Sequence, residues 1–117
     1  MDHYLDYKRT YTNCTYVDGN LEITFLDGPN DDYDLSFLQS IEEVSGYVLI
    51  YSVYAQDLHL RNLKLIRGSQ LYSLTPGEKL YSLVVASNSK PNSETKGLMQ
   101  LGFINLQGEF LMIAYKK

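Results

Sequence analysis

One internal repeat constrains this chain more than any other feature of its sequence. A pattern of spaced aliphatic residues ending in glycine occurs twice, the second copy 22 residues after the first. A period of ~20–30 residues is typical of stacked-repeat proteins, because one repeat cannot bury its apolar side alone. The aliphatic positions therefore predict a shared interior, and each glycine permits a tight corner. The two copies read Leu38-x-x-Ile41-x-x-Val44-x-Gly46 and Leu60-x-x-Leu63-x-x-Ile66-x-Gly68.

Short strands are expected between turns throughout the chain after Cys14. Alternating or continuous apolar runs predict strands at residues 21–25, 48–51 and 83–86, and each repeat is expected to lead into a strand, at residues 47–51 and 69–72. A third copy begins at Phe103 and Leu106, but Glu109 stands where the next aliphatic residue belongs. The sequence therefore predicts one domain over residues 1–107 and a divergent tail over residues 108–117.

The first residues predict a short helix over residues 1–13. Tyr4, Tyr7 and Tyr11 fall on one helical face, which indicates an aromatic stripe turned toward the core. Asp2 is the expected N-cap. Glycine, proline and polar residues predict loops at residues 27–32, 75–78 and 87–96.

Composition excludes several classes of protein. The chain has 117 residues, enough for one small domain, and 10 basic against 14 acidic residues leave a net charge of -4, which argues against a nucleic-acid partner. The longest apolar run, residues 110–115, is far shorter than the ~20 residues of a membrane span. The opening residues show neither the basic start nor the apolar stretch of a signal peptide.

No catalytic or metal-binding pattern emerges from the residues. His3 and His59 lack metal-ligand spacing with carboxylates, and the acidic run at residues 31–34 lacks the glycine and distal glutamate of a calcium loop. The repeat places Glu42 beside Lys64 rather than beside a second acid. We expect no enzyme activity, no cofactor and no metal.

Five stretches carry a resemblance to a known family. They are YTNCTYVDGNLEI at residues 11–23, DLSFL at 34–38, IxEVxGYVLI at 41–50, NLxxIRG at 62–68 and YxLxV at 81–85. Together they resemble the first receptor L domain of the epidermal growth factor receptor family, above all its arthropod members, over residues 2–107. The insulin receptor family, with a similar Gly-Asn-Leu-Glu-Ile start, is the alternative relative.

The resemblance implies a mainly β fold, a right-handed β-helix with an N-terminal capping helix, from the extracellular part of a receptor tyrosine kinase. In that family the domain is one half of a clamp on a growth-factor peptide of the epidermal growth factor type. Half a clamp is expected to bind weakly, because linked contacts gain effective concentration. Receptor dimerisation and the kinase belong to other regions of the full-length receptor.

Site residues follow from the resemblance position by position. The matching ligand-facing positions are Phe25, Ser52, Glu78, Ala86 and Ser87. Asn13-Cys14-Thr15 is an N-glycosylation sequon. Cys14, the one cysteine, is implied to form a disulfide in the full receptor and is unpaired within this chain.

A second interpretation stays open. The chain could be a truncated isoform or a gene-model fragment, a decoy or structural product without signalling activity. Under the first interpretation it belongs at the cell surface as part of its parent receptor.

Overall fold

The chain is mainly β in the residues that the structure describes. The computed structural model describes residues 3–28, 33–55, 57–73, 76–77 and 80–86, together with the backbone of Met112–Tyr115. One α-helix precedes short strands and a single 3₁₀ turn within those residues. The elements are α1 Tyr4–Tyr11, β1 Tyr16–Val17, β2 Leu21–Leu26, the 3₁₀ turn Ser36–Leu38, β3 Glu43–Val44, β4 Val48–Val53, β5 Leu65–Ile66, β6 Leu83–Ala86 and β7 Met112–Tyr115.

The strands form two parallel sheets between which the chain alternates. The smaller sheet has the order β1-β3-β5 and the larger sheet the order β2-β4-β6-β7. We call one strand of each sheet a layer, so that β1 and β2 form the first layer, β3 and β4 the second, and β5 and β6 the third. Parallel pairing requires a long connection between partners, and here that connection is the passage through the other sheet.

The predicted repeat is confirmed as the register between two layers of the smaller sheet. Val44 pairs with Ile66, its counterpart in the second copy. Glu42 lies beside Lys64, as predicted, with Oε1 3.9 Å from Nζ. The aliphatic positions of both copies are buried: Leu38, Ile41, Val44, Leu60, Leu63 and Ile66.

The core lies between the two sheets. Ile23 of the first layer pairs with Ile50 of the second, which in turn pairs with Val85 of the third. All three side chains belong to one buried aliphatic cluster. Full burial of a side chain of this size is worth about 1.5–3 kcal/mol. Each layer therefore gains most of its stability from the layers above and below it.

Helix α1 covers the outer edge of the larger sheet. It spans Tyr4–Tyr11, shorter at both ends than the predicted residues 1–13, and its N-cap is His3, so the expected N-cap at Asp2 is wrong. The expected stripe is confirmed, since the three helix tyrosines pack against the core. The backbone N–H of Thr24, in edge strand β2, donates to the Tyr7 hydroxyl at 3.3 Å. The helix thus satisfies a donor at an edge that would otherwise be open.

The two repeat glycines are required at their corners for different reasons. Gly68 has φ +69, a left-handed conformation that glycine adopts readily and that suits the tight corner expected there. Gly46 is required for space instead, because a Cβ there would lie 1.9 Å from Asn20 Oδ1 and 2.9 Å from the Gly19 carbonyl oxygen. That Asn20 oxygen accepts the Tyr47 backbone N–H at 3.0 Å, so the side chain is held in place.

The strand expected at residues 69–72 is wrong. Ser69 donates its backbone N–H to the Ser45 carbonyl at 2.9 Å, which prolongs the corner after Gly68. Tyr72 then makes an isolated antiparallel bridge to Tyr81. The third layer therefore rejoins the larger sheet only at Leu83, after a longer excursion than the repeat predicts. The other strands are confirmed, with β2 and β4 extending slightly further than expected.

Several predicted features lie outside the described residues, namely the loop at 87–96 and the third copy at Phe103, Leu106 and Glu109. The backbone of β7 pairs in parallel with β6. The boundary proposed at residue 108 stays a prediction. Within the described part of the chain, no helix has the length and apolar character of a membrane span.

Leu63→Asp is expected to unfold the chain, because it places an unpaired carboxylate at a fully buried core position. We expect a loss of more than about 4 kcal/mol in the free energy of unfolding. Urea denaturation followed by circular dichroism measures the loss. Ser69→Asp, at an exposed site nearby, is the control and should change stability by less than about 0.5 kcal/mol. A cooperative, stable Leu63→Asp protein would contradict the shared core.

Gly46→Ala is expected to destabilise the chain by about 1–3 kcal/mol, the usual cost of forcing an extra methyl into filled space. The cost should shrink in an Asn20→Ala background, because the nearest clashing atom is then gone. A double-mutant cycle of chemical denaturation measures this coupling. Strictly additive costs would show that Asn20 is not what excludes a side chain at position 46.

Candidate functional site

The outer face of the larger sheet carries a second apolar cluster, separate from the core. We use the term outer face for the side of β2, β4 and β6 that is turned away from the smaller sheet. Its buried floor is formed by Leu49, Val84 and Ala86. Four half-buried tyrosines pack on this floor: Tyr47, Tyr51, Tyr72 and Tyr81.

A matched kink shapes the outer face at one row of the sheet. Phe25 and Ser52 both adopt left-handed backbone, with φ +56 and +57. The register between β2 and β4 continues on both sides of them, from Thr24 with Tyr51 to Leu26 with Val53. Each strand therefore inserts one extra outward residue at the same level. The two kinks place consecutive side chains of each strand on the outer face, where a regular strand would alternate.

Two pairs of aromatic rings contact each other on this surface, the first of them edge to face. Phe25 is 54% exposed, and its ring centroid lies 5.6 Å from that of Tyr51 at an interplanar angle of 84°. The rings of Tyr47 and Tyr72 lie 5.3 Å apart. Such pairs hold large side chains in fixed positions at low entropic cost. The face is thus a pre-ordered aromatic surface with one strongly exposed ring.

Two carboxylates accept hydrogen bonds from hydroxyl groups of the second layer. One belongs to Glu22 in β2 and the other to Asp27, which directly follows β2. The Tyr47 hydroxyl donates to Glu22 Oε2 at 2.6 Å, and the Ser52 hydroxyl donates to Asp27 Oδ2 at 3.0 Å. Burial and, secondly, the bond to Glu22 raise the pKa of Tyr47 to about 12. The phenol therefore remains a neutral donor and Glu22 its acceptor at physiological pH.

The structure brings together some of the predicted ligand-facing residues. Phe25 and Ser52 lie side by side on the outer face. Ala86 lies in its floor at 1% exposure, so tyrosines cover it and it shapes the face without presenting a side chain. Glu78 and Ser87 lie outside the described residues. All five assignments stay predictions.

Sequence reasoning missed the tyrosines and the two carboxylates of this face. A signal was present, because Tyr47, Leu49 and Tyr51 alternate with inward residues of the same strand. Reading 48–51 as one continuous buried run hid that alternation. The hydroxyl contacts of Glu22 and Asp27 cross between layers and depend on a register that this part of the sequence does not reveal.

The sequon residues lie at the end of α1, next to the smaller sheet. Asn13 and Thr15 are exposed, and Asn13 has φ +64. Cys14 is half-buried, and its thiol donates to the Tyr16 carbonyl oxygen at 3.4 Å. Glycosylation at Asn13 and a disulfide at Cys14 stay predictions.

The described residues form no metal-binding group of histidine, cysteine and carboxylate side chains. His59, one of the histidines considered above, lies with Nδ1 3.6 Å from Asp57 Oδ2, and Arg61 reaches the same carboxylate at 3.7 Å. None of these three residues belongs to the aromatic cluster of the outer face. What the outer face offers chemically is contact area, aromatic rings and negative charge.

The Tyr47 phenol is expected to titrate well above its ordinary pKa of about 10. A raised folded-state pKa stabilises the protein below pH 10, and this contribution is lost as the pH rises from 10 toward 12. The difference in ultraviolet pH titration between wild type and Tyr47→Phe isolates this phenol among the eleven tyrosines. Glu22→Gln should lower its midpoint. A Tyr47 midpoint near 10 in the wild type would contradict the contact.

Comparison with known proteins places these features in a family. The family model for the receptor L domain matches residues 13–109. The chain is 44% identical to the epidermal growth factor receptor of Drosophila melanogaster, over 88% of its own length and 7% of the receptor's. It is 43% identical to the melanoma receptor tyrosine-protein kinase of Xiphophorus maculatus, over 91% of its length and 8% of that protein's.

A human relative shows the same pattern. Receptor tyrosine-protein kinase erbB-4 of Homo sapiens is 41% identical over 85% of the chain and 7% of its own length. The chain thus spans less than a tenth of the length of these receptors. Its match is to the receptor L domain and not to a kinase region. The chain belongs to the receptor L domain family, as found in receptors of the epidermal growth factor receptor type.

Proposed function

We propose that this chain is the extracellular ligand-binding L domain of a receptor tyrosine kinase and that its outer face forms one half of a growth-factor site. The expected partner is a growth-factor peptide of the epidermal growth factor type. Dimerisation and signalling would belong to other parts of the parent receptor, which would place this domain at the cell surface.

The observation that carries the proposal is the exposed aromatic surface around Phe25. A ring that is 54% exposed, fixed against Tyr51 and bordered by further tyrosines, is typical of a protein-recognition surface. Two of the residues that the family resemblance marks as ligand-facing, Phe25 and Ser52, lie on that same row. Two independent arguments therefore select one face.

We also propose that the stacked layers are coils of a right-handed β-helix capped by α1. The alternation of the chain between two parallel sheets, with the core between them, supports this assignment. Right-handed connection is the rule for parallel strands of one sheet. In such a fold the larger sheet becomes one long flat side, which suits a docking surface.

Two modifications belong to the same proposal. The exposed sequon supports N-glycosylation of Asn13 during secretion. Cys14, next to it, is the expected half of a disulfide in the full receptor. Both sites follow α1 and precede β1, so neither lies among the outer-face residues that we assign to the ligand.

Phe25→Ala is expected to weaken binding of an epidermal growth factor-type domain by roughly fivefold or more, because truncating an aromatic anchor of an interface costs more than ~1 kcal/mol. Surface plasmon resonance of the immobilised chain measures the affinity. We expect weak binding by the wild type, since half of a clamp lacks the gain from linked contacts.

Tyr16→Ala is the matched control, since Tyr16 is 48% exposed but lies on the smaller sheet. It should leave the affinity unchanged. A wild-type chain that folds cooperatively yet binds no growth-factor domain would contradict the proposed function and favour the alternative of a structural product. Equal losses in both variants would place the site elsewhere.

A further inference from the structure

Carboxylates on the two sheets of this protein have different kinds of partner. On the smaller sheet, Glu42 pairs with Lys64 at 3.9 Å and Glu43 pairs with Arg67. On the outer face of the larger sheet, the contacts that Glu22 and Asp27 make with other described residues are hydroxyl hydrogen bonds. A hydroxyl donor holds a carboxylate in position without cancelling its charge. Within the described residues, the charges of Glu22 and Asp27 therefore lack the cationic partners that Glu42 and Glu43 have.

The two carboxylates are positioned by the same cross-strand geometry. Glu22 lies opposite Leu49 in the register, and its partner Tyr47 lies two residues before Leu49. Asp27 follows Leu26, which pairs with Val53, and its partner Ser52 again lies two residues before the position opposite Asp27. Both carboxylates thus contact the diagonal neighbour on the second layer rather than the residue directly opposite. The hydrogen bonds from Tyr47 and Ser52 hold them against the outer face.

No cation of the described outer face offsets these charges. The described residues that form the face are aromatic, aliphatic, hydroxyl-bearing or acidic, and none is Lys or Arg. The structure gives no ion pair to Glu22 or Asp27 among the described residues. Both side chains are exposed, and within that part of the chain the hydrogen bonds reach Glu22 Oε2 and Asp27 Oδ2 rather than the second oxygen of either carboxylate.

Aromatic rings lie directly beside the charges. Glu22 accepts a hydrogen bond from the hydroxyl of Tyr47, whose ring lies 5.3 Å from that of Tyr72. Asp27 accepts one from Ser52, the neighbour of Phe25 on the outer face. A Lys or Arg that reaches Glu22 would therefore also lie against a tyrosine ring, where cation–π attraction adds about 0.5–1 kcal/mol. Its aliphatic stem would cover part of the apolar floor.

We propose that the ligand of the outer face is a polypeptide that presents a lysine or arginine to Glu22 or Asp27 beside an apolar side chain that contacts Phe25. This inference rests on the proposed function and states the chemistry of the ligand at that site. The two acidic positions are five residues apart along one strand, hence no more than about 17 Å. One small growth-factor domain can cover both.

The test uses the full chain and an epidermal growth factor-type domain as the probe. Glu22→Gln and Asp27→Asn remove charge while keeping size and the ability to accept the hydroxyl bond. We expect each to weaken binding roughly two- to fivefold at low ionic strength, and less as salt screens the charges. Unchanged thermal unfolding midpoints show that neither variant acts through the fold.

The matched control is Glu42→Gln, which makes the same change on the smaller sheet, where Lys64 already neutralises the carboxylate. It should leave the affinity unchanged. Each Lys or Arg of the probe is replaced by Gln in turn, and its binding to the wild-type chain and to the Glu22→Gln and Asp27→Asn variants is measured. At one position the replacement should weaken binding to the wild type but not to the variant that lacks its carboxylate partner. That coupling is the signature of a direct pair.

The outcomes separate the two proposals. Unchanged affinity in Glu22→Gln and Asp27→Asn, with the Phe25→Ala loss intact, overturns the cationic contact and leaves the proposed function standing. Equal weakening by Glu42→Gln shows a long-range effect of net charge and also overturns it. Absence of any binding by the wild type overturns the proposed function, and the inference falls with it.

Discussion

The parallel hydrogen-bond ladder between successive layers is the constraint on which the rest of the structure depends. It aligns Ile23, Ile50 and Val85 into one aliphatic stack, and no single layer could bury its share of that stack. The same ladder fixes the outer face, because the register that aligns the inward side chains of a strand also aligns the outward side chains between them. Core and surface are therefore set by one register, and a slip by one residue would exchange them.

The sequence predicts the layers where they are similar and fails where they differ. Glu43 pairs with Leu65, 22 residues later, and the repeat is visible at that spacing. On the larger sheet Val48 lies 27 residues after its partner Leu21, and Leu83 lies 35 after Val48. Because the connections between successive strands of the larger sheet differ in length, its strands do not recur at a fixed spacing in the sequence. The strand expected at residues 69–72 was wrong for this reason. The second copy of the repeat ends at Gly68, but the connection to the larger sheet continues to Leu83.

The candidate site also contains residues that the sequence could predict and residues that it could not. The residues selected by family resemblance include Phe25 and Ser52, which lie on one row, because a collinear match preserves strand position. The tyrosine cluster and the contacts of Glu22 and Asp27 are properties of neighbouring layers. Local sequence carries the alternation of Tyr47, Leu49 and Tyr51, but not which partner each outward side chain meets. That information appears only once the register of the larger sheet is known.

The paired kink at Phe25 and Ser52 has a consequence for how this surface can change over evolutionary time. A left-handed backbone is costly for β-branched side chains and forbidden to proline, while glycine, asparagine and unbranched residues tolerate it. Positions 25 and 52 therefore accept side chains of varied chemistry, disfavour valine, isoleucine and threonine, and exclude proline. Diversification of partner preference at these two positions is filtered by backbone geometry before selection on affinity acts.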